Sequence, residues 1–182
     1  FLYLGRLAKG KNVETIIKAA GILAKNHDFV LNIVGDGKER YKLETLAKKL
    51  KLDGKVVFLG ATQRPWEYYA SAGCFLFPSL HESFGMSPLE ALASGCFVIS
   101  SSVGWIGARE CAVGVIKCIE PGKGAFEWAH AMLEYLKNPA NVLGSSNDHS
   151  ALLKSAFDFY PYSKDQIYGL QKESFKKAVG WK

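Results

Sequence analysis

Short apolar runs alternate along the chain with longer segments in which apolar residues recur every three or four positions. The short runs predict strands and the longer segments predict amphipathic helices. Six runs predict strands: Phe1–Leu4, Phe29–Val34, Val56–Leu59, Cys74–Phe77, Phe97–Ser100 and Val113–Lys117. Helical patterns fall between these runs, as they do in parallel βαβ units. We therefore expect an α/β fold with a doubly wound, Rossmann-like parallel sheet of about six strands and helices on both faces.

The predicted helices carry recognisable start and stop signals. Asn12 is suited to cap the first helix, and the second follows the Gly35-Asp36-Gly37 turn and runs to about Leu50. A short helix is predicted near Pro65–Ser71. Another covers Ala125–Leu136, where the following Asn-Pro pair stops it.

A chain of 182 residues fits one domain, so residues 1–182 are interpreted as a single Rossmann-like unit. After a polar, turn-rich stretch, two more helices are predicted near Ala151–Phe157 and Ser163–Val179. Residues 141–182 are therefore expected to form a C-terminal helical extension of that domain.

The most informative stretch is Pro78–Gly95, which joins the fourth predicted strand to the next helix. Ser87 suits the N-cap, Pro88 the first helical position, and Glu90 the third position after the cap. Together they predict a capping box at the helix start. Gly95 suits the position just past the helix end.

Glu82 lies in the loop before this helix, eight positions ahead of Glu90. Both glutamates are expected near the positive end of the helix, where the first backbone N–H groups have no partner within the helix. Such a place can hold a phosphate and the hydroxyls of an attached sugar.

Two glutamates separated by seven residues, with Phe84-Gly85 just after the first, resemble the E-x7-E motif of retaining GT-B glycosyltransferases of group 1, or family 4. Pro78-Ser79 before the motif and Val98-Ile99-Ser100 after it are similar to the same family. The resemblance covers roughly residues 1–120. It implies the C-terminal, donor-nucleotide-binding half of a GT-B fold, with the N-terminal acceptor domain of the same parent chain absent here.

The resemblance also implies roles for individual residues. Arg6 and Lys11 would contact the donor diphosphate, where fixed cations stabilise the negative charge that builds up as the nucleoside diphosphate departs. Lys9 is an alternative to Lys11 in that role. Glu82 would contact the sugar and stabilise cationic character at its anomeric carbon, and Glu90 would bind the ribose. The residues implied in donor binding are Gly5, Gly35, Phe84, Gly85, Met86 and Glu90.

The net charge of +6 arises entirely in residues 1–55, where 12 Lys and Arg face 6 Asp and Glu. Solvated helix faces, an anionic nucleotide and an anionic membrane face are three interpretations of this surplus. Nucleic acid is disfavoured because no known binding module or basic stripe with interleaved aromatics is present. No apolar run approaches the ~18 residues of a membrane span. A cytoplasmic location is therefore expected, with peripheral contact at the cytoplasmic membrane face.

No Asp-x-Asp pair and no His/Cys cluster occurs, which favours a donor site that needs no metal and no other cofactor. The four cysteines lack C-x-x-C spacing, so buried free thiols are expected. The expected function is that of the nucleotide-sugar-binding domain of a retaining glycosyltransferase, inactive by itself. Two alternatives stay open: a non-catalytic nucleotide-sugar-binding module, and a dinucleotide-binding Rossmann domain, which the incomplete glycine fingerprint at Gly35–Arg40 disfavours.

Overall fold

The computed structural model describes residues 1–107 and 116–139, apart from the Trp105 side chain. Within these ranges the strands are β1 Leu2–Leu4, β2 Leu31–Val34, β3 Val56–Gly60, β4 Cys74–Phe77, β5 Phe97–Ser101 and β6 Ile116–Ile119. All neighbouring pairs are parallel, and the order across the sheet is β3-β2-β1-β4-β5-β6. The predicted Rossmann-like sheet of six strands is confirmed.

Six α-helices lie in the described ranges, and a single 3-10 turn covers Lys9–Lys11. They are α1 Val13–Leu23, α2 Arg40–Lys49, α3 Pro65–Ser71, α4 Met86–Ala93, α5 Gly104–Gly107 and α6 Ala125–Lys137. Most predicted boundaries are correct within a few residues. The sixth strand was predicted at Val113–Lys117, of which residues 113–115 lie outside the described ranges, and it ends at Ile119, two residues later than predicted. The two helices predicted beyond residue 150 lie outside the described residues.

Buried side chains form two apolar clusters, one on each face of the sheet. The first holds residues of α1, α2 and α6, with Trp128 as the largest fully buried side chain. The second holds residues of α3, α4 and α5. Within β4, Cys74 and Leu76 belong to the first cluster and Phe75 and Phe77 to the second, as the two-residue period of a strand requires. The helices therefore cover both faces, which confirms the doubly wound arrangement.

The cysteines divide into two groups. Cys74 and Cys96 are buried free thiols, as predicted, and burial raises the pKa of Cys96 to about 12. Cys118 is disulfide-bonded, so the prediction of free thiols is wrong for that residue. The absence of C-x-x-C spacing did not exclude this, because a disulfide needs no such motif.

The sheet reverses its winding direction between β1 and β4, which are neighbours although two strands separate them in sequence. In open α/β sheets, ligands bind outside the carboxyl ends of the strands at such a switch point. The loops that follow β1 and β4 are therefore the expected walls of any binding site. In the described ranges, no helix is long and apolar enough to cross a membrane.

The loops after β1 and β2 are packed backbone against backbone. The Gly5 N–H donates to the Val34 carbonyl at 3.0 Å, and the Leu7 N–H donates to the Asp36 carbonyl at 2.9 Å. A Cβ added to Gly35 would lie 1.9 Å from the Gly5 carbonyl oxygen. A real Cβ cannot come that close to an oxygen, so glycine at this position is what allows the two loops to interlock.

Gly35→Ala should therefore lower the free energy of unfolding by about 3 kcal/mol or more, because the methyl group must push two backbones apart. Gly54→Ala is the matched control: its φ of +77° is also left-handed, but nothing lies within 4 Å of the added Cβ. That control should lose only about 1–2 kcal/mol. Urea unfolding curves provide both values, and equal losses would contradict the packing argument.

Candidate functional site

The loop after β1 and the loop after β4 are joined directly. The Leu80 N–H donates to the Gly10 carbonyl at 2.9 Å, which holds the 3-10 turn Lys9–Lys11 beside the loop that carries Glu82. This backbone hydrogen bond continues the contact between β1 and β4 beyond the ends of the strands. Residues about 70 positions apart in the sequence are thereby placed at one edge of the sheet.

The central side-chain contact of the site is the ion pair between Lys11 Nζ and Glu82 Oε1. Both side chains are shielded from solvent, with 31% of Lys11 and 14% of Glu82 exposed. The Lys11 ammonium also lies 5.9 Å from the centroid of the Phe77 ring, within the range of a cation–π contact. Lys11 and Glu82, which were both predicted to contact the sugar-nucleotide donor, are thus in direct contact with each other.

Arg6 occupies an exposed position on the same loop as Lys11. Its main chain is anchored by a hydrogen bond, which the hydroxyl of the buried Tyr3 donates to the Arg6 carbonyl at 2.9 Å. Burial raises the pKa of Tyr3, and the nearby Glu82 carboxylate adds to the rise. The Arg6 guanidinium makes no ion pair with any residue in the described ranges. It is a cation available to an anionic ligand.

The loop that carries Glu82 also packs against Gly104, which was not among the predicted site residues. Gly104 has a φ of +60°, and a Cβ added there would lie 2.0 Å from the Phe84 carbonyl oxygen and 3.4 Å from Glu82 Cβ. The first residue of α5 therefore packs directly on the loop between β4 and α4.

The start of α4 differs from the prediction. The helix begins at Met86 with Gly85 as its N-cap at a φ of +92°, and no side chain caps it. The predicted capping box of Ser87 and Glu90 is wrong. Ser87 is already in the second helical position, where its backbone cannot take the extended conformation of an N-cap. The Glu90 carboxylate is bound elsewhere, so it does not reach back to a backbone N–H.

The predicted end of α4 is confirmed. Gly95, at a φ of +84°, follows the C-cap Ser94, and its N–H donates to the Leu92 carbonyl at 2.9 Å. The Cys96 N–H donates to the Ala91 carbonyl, also at 2.9 Å. This pair of bonds is a Schellman motif, which satisfies the last carbonyls of the helix.

Glu90 is bound to Tyr69 of α3, whose hydroxyl donates to Glu90 Oε2 at 2.9 Å. Tyr69 is fully buried, and Glu90 is half-buried. Burial raises the pKa of Glu90, and the hydrogen bond from Tyr69 opposes that rise. Sequence reasoning missed Tyr69, because its partner lies 21 positions away on a different helix.

Most of the predicted site residues lie on the loops after β1 and β4 or at the start of α4, and one lies on a different loop. Gly5, Arg6 and Lys11 lie on the loop after β1, and Glu82, Phe84, Gly85, Met86 and Glu90 lie on the loop after β4 or in the first turns of α4. Gly35 lies on the neighbouring loop after β2, where its N–H donates to the Gly60 carbonyl at 2.7 Å. Its observed contacts are with the backbone of neighbouring loops.

The described residues contain no group of three or more His, Cys, Asp or Glu side chains arranged to hold a metal ion. The cations at the site are the side chains of Arg6 and Lys11. The anions are Glu82 and Glu90, in the loop after β4 and in α4. This arrangement can bind a diphosphate on the cationic side and sugar hydroxyls on the carboxylate side.

Comparison with known families resolves the class of protein that this fold and site define. Strand order alone does not identify the class, because dinucleotide-binding domains have the same strand order. The model of the family described as glycosyl transferases group 1 matches residues 1–150. The chain belongs to this family, and the predicted resemblance is confirmed.

Two curated relatives illustrate the similarity. The chain is 31% identical over 168 residues to the N-acetylgalactosamine-N,N'-diacetylbacillosaminyl-diphospho-undecaprenol 4-alpha-N-acetylgalactosaminyltransferase of Campylobacter jejuni, covering 87% of this chain and 45% of the relative. It is 40% identical over 105 residues to an uncharacterized glycosyltransferase of Methanocaldococcus jannaschii, covering 57% of this chain and 27% of that protein. The chain thus spans less than half the length of these relatives.

Several solved structures share the fold. Anabaena HepE in complex with UDP has a TM-score of 0.76 at 21% identity, over 86% of this chain and 44% of HepE. Sucrose-phosphate synthase of Thermosynechococcus elongatus has a TM-score of 0.76 at 24% identity, over 100% of this chain and 45% of the synthase. These similarities establish a Rossmann-like domain of the GT-B type.

The support that Gly104 gives to the Glu82 loop can be tested by adding one methyl group. Gly104→Ala should destabilise the protein by about 2–4 kcal/mol, because the Cβ would overlap the Phe84 carbonyl. Gly122→Ala is the control, since its φ of +81° is similar but nothing lies within 4 Å of the added Cβ. Chemical denaturation of both variants measures the difference. If both variants lose the same stability, Gly104 does not support the loop.

Proposed function

We propose that this chain is the nucleotide-sugar-binding domain of a retaining glycosyltransferase, which transfers a sugar from a nucleoside diphosphate to a glycan, lipid or other acceptor. The observation that carries this proposal is the contact between the loops after β1 and β4. It gathers Arg6, Lys11 and Glu82 at the switch point of a sheet that belongs to a glycosyltransferase family. HepE, which shares the fold, binds UDP and UDP-glucose, and this supports a nucleotide-sugar ligand.

In this proposal the donor lies along the edge formed by the two loops. The diphosphate contacts Arg6 and Lys11, and the start of α4 adds its positive helix end. The sugar lies beside Glu82, and the ribose is bound by Glu90. The backbone that surrounds the ligand is proposed to be that of Gly5, Gly35, Phe84, Gly85 and Met86. Gly35 acts indirectly, by holding its loop in place.

The proposed reaction breaks the bond between the anomeric carbon and the diphosphate oxygen. The acceptor hydroxyl forms a new bond to that carbon on the same face of the sugar, and its proton passes to the departing diphosphate. Positive charge develops on the sugar and negative charge on the diphosphate. Glu82 would stabilise the former, and Arg6 with Lys11 the latter, so these contacts strengthen as the transition state forms.

The acceptor is expected to be bound by a second domain. The chain spans less than half of the relatives described above. An N-terminal acceptor domain of the same parent chain is therefore proposed as the partner, and this chain alone is expected to bind donor but transfer nothing. The cytoplasmic location and the contact with an anionic membrane face stay predictions.

The Lys11–Glu82 ion pair leads to a test in which one substitution in each partner separates their effects on UDP binding. Lys11→Met removes a cation from the diphosphate site and should weaken UDP binding about tenfold. Glu82→Gln releases Lys11 from its partner, so UDP should bind as tightly as to wild type, or up to about fivefold more tightly, which is the size expected for a partly exposed pair. Isothermal titration calorimetry of the 182-residue chain with UDP, GDP and ADP measures these affinities.

Lys9→Met tests the alternative cation of the same 3-10 turn, since Lys9 is exposed there and makes no ion pair with a described residue. It should leave the affinity within about twofold of wild type. Failure of the wild-type chain to bind any of the three nucleotides would overturn the proposed function. Weaker UDP binding by Glu82→Gln would show that Glu82 does not compete for Lys11.

Independence from metal is a separate prediction. Arg6, Lys11 and the start of α4 are proposed to neutralise the diphosphate, so chelation should not reduce binding. The affinity for UDP in excess EDTA should stay within about twofold of the affinity in magnesium. A loss of about tenfold or more, equivalent to ~1.4 kcal/mol, would show that a divalent cation takes part.

A further inference from the structure

Tyr69 lies in the second apolar cluster, and three contacts hold it in place. Its ring packs edge-on against Phe75, with centroids 5.5 Å apart, and its backbone carbonyl accepts a hydrogen bond from the Cys96 thiol at 3.2 Å. Its hydroxyl donates to Glu90 Oε2. A fully buried aromatic ring with these contacts has little freedom to move. The position of the hydroxyl is therefore set by the core and not by solvent.

The Tyr69 hydroxyl occupies one oxygen of Glu90 and leaves the other unoccupied. Glu90 Oε1 makes no hydrogen bond with a described residue and is not enclosed in the protein interior. An ionised carboxylate accepts hydrogen bonds on both oxygens, so the remaining oxygen can receive the hydroxyls of a ligand. A rigid donor on one oxygen fixes the direction in which the other one faces.

We propose that Tyr69 is a positioning residue of the donor site, which orients the Glu90 carboxylate so that its second oxygen receives the ribose hydroxyls of a nucleoside diphosphate. This inference rests on the proposed function, because it requires Glu90 to bind the nucleotide. It adds a residue of α3 to a site built otherwise from the loops after β1 and β4. Tyr69 itself does not touch the ligand.

The charge of Glu90 provides a second way to see the effect of Tyr69. The described groups around the pair are Tyr69 from α3, Ser87 on α4 and Cys96 after α4. Burial raises the pKa values of both Tyr69 and Cys96, so both stay neutral at pH 8 and below, and Glu90 is the group of this set that ionises. Burial also raises the pKa of Glu90, while Tyr69 lowers it. Loss of the Tyr69 hydroxyl should therefore shift the ionisation of Glu90 to higher pH.

Tyr69→Phe removes the hydroxyl and keeps the ring, so the packing against Phe75 is retained. UDP binding at pH 7 should weaken about tenfold. The pH below which binding is lost should also rise, because the ionised form of Glu90 then appears only at higher pH. UDP itself titrates near pH 6, so the variant and the wild type are compared at each pH. Calorimetry between pH 5 and 8 records both quantities.

Two further variants separate positioning from a general structural effect. Tyr68→Phe removes the same atom from the neighbouring residue of α3, whose hydroxyl has no partner in the described ranges, and should leave affinity and pH profile unchanged. In a Glu90→Gln background, Tyr69→Phe should have little additional effect, because the residue through which it acts has lost its charge. Full additivity of the two substitutions would overturn the proposal.

A measurement on the wild-type protein covers the case in which Tyr69→Phe does not fold. Addition of UDP should shift the carbon-13 NMR signal of the Glu90 carboxyl group, because ribose hydroxyls replace water at its second oxygen. An unchanged Glu90 signal in protein that binds UDP would overturn the inference but not the proposed function. Absence of UDP binding by the wild type would overturn both.

Discussion

The candidate site depends on the parallel pairing of β1 with β4 at the centre of the sheet. The two strands share one register pair, Leu2 with Phe75, and the Leu80–Gly10 backbone hydrogen bond extends their contact past the strand ends. Because both strands run in the same direction, the two loops that follow them leave the sheet at the same edge. This shared edge brings the side chains of Lys11 and Glu82 within contact distance.

This proximity has an electrostatic consequence for the binding of an anion. Lys11 is already paired with Glu82, so a diphosphate must replace the carboxylate before it gains the full attraction of the ammonium group. Arg6, on the same loop, has no ion-pair partner in the described ranges and attracts the anion without such an exchange. Elsewhere Glu14 pairs with both Lys18 and Lys42, so these two ammonium groups are less available to a ligand than their charge alone implies.

The features that could be predicted from the sequence are those with a local pattern. The six strands, their alternation with helices and the Gly95 ending of α4 each depend on residues a few positions apart. The start of α4 has a local pattern too, and it was misleading. Gly85 takes a left-handed conformation and starts the helix one residue before the predicted N-cap, and the predicted partner of Ser87 is bound by Tyr69 instead. A contact between two helices outweighed the local preference.

The remaining features share a physical origin that no short pattern reports. Gly35 and Gly104 each fit against a carbonyl oxygen of another loop, and Tyr3 and Tyr69 each place a buried hydroxyl beneath a residue of the site. None of these four residues is charged or a typical metal ligand, and of the four only Gly35 was predicted at the site, through the family resemblance. Their effect is to remove conformational freedom from Arg6, Glu82 and Glu90 before any ligand arrives. The E-x7-E motif marks the groups proposed to contact a donor, whereas the glycines and tyrosines around it contact the loops and side chains that hold those groups.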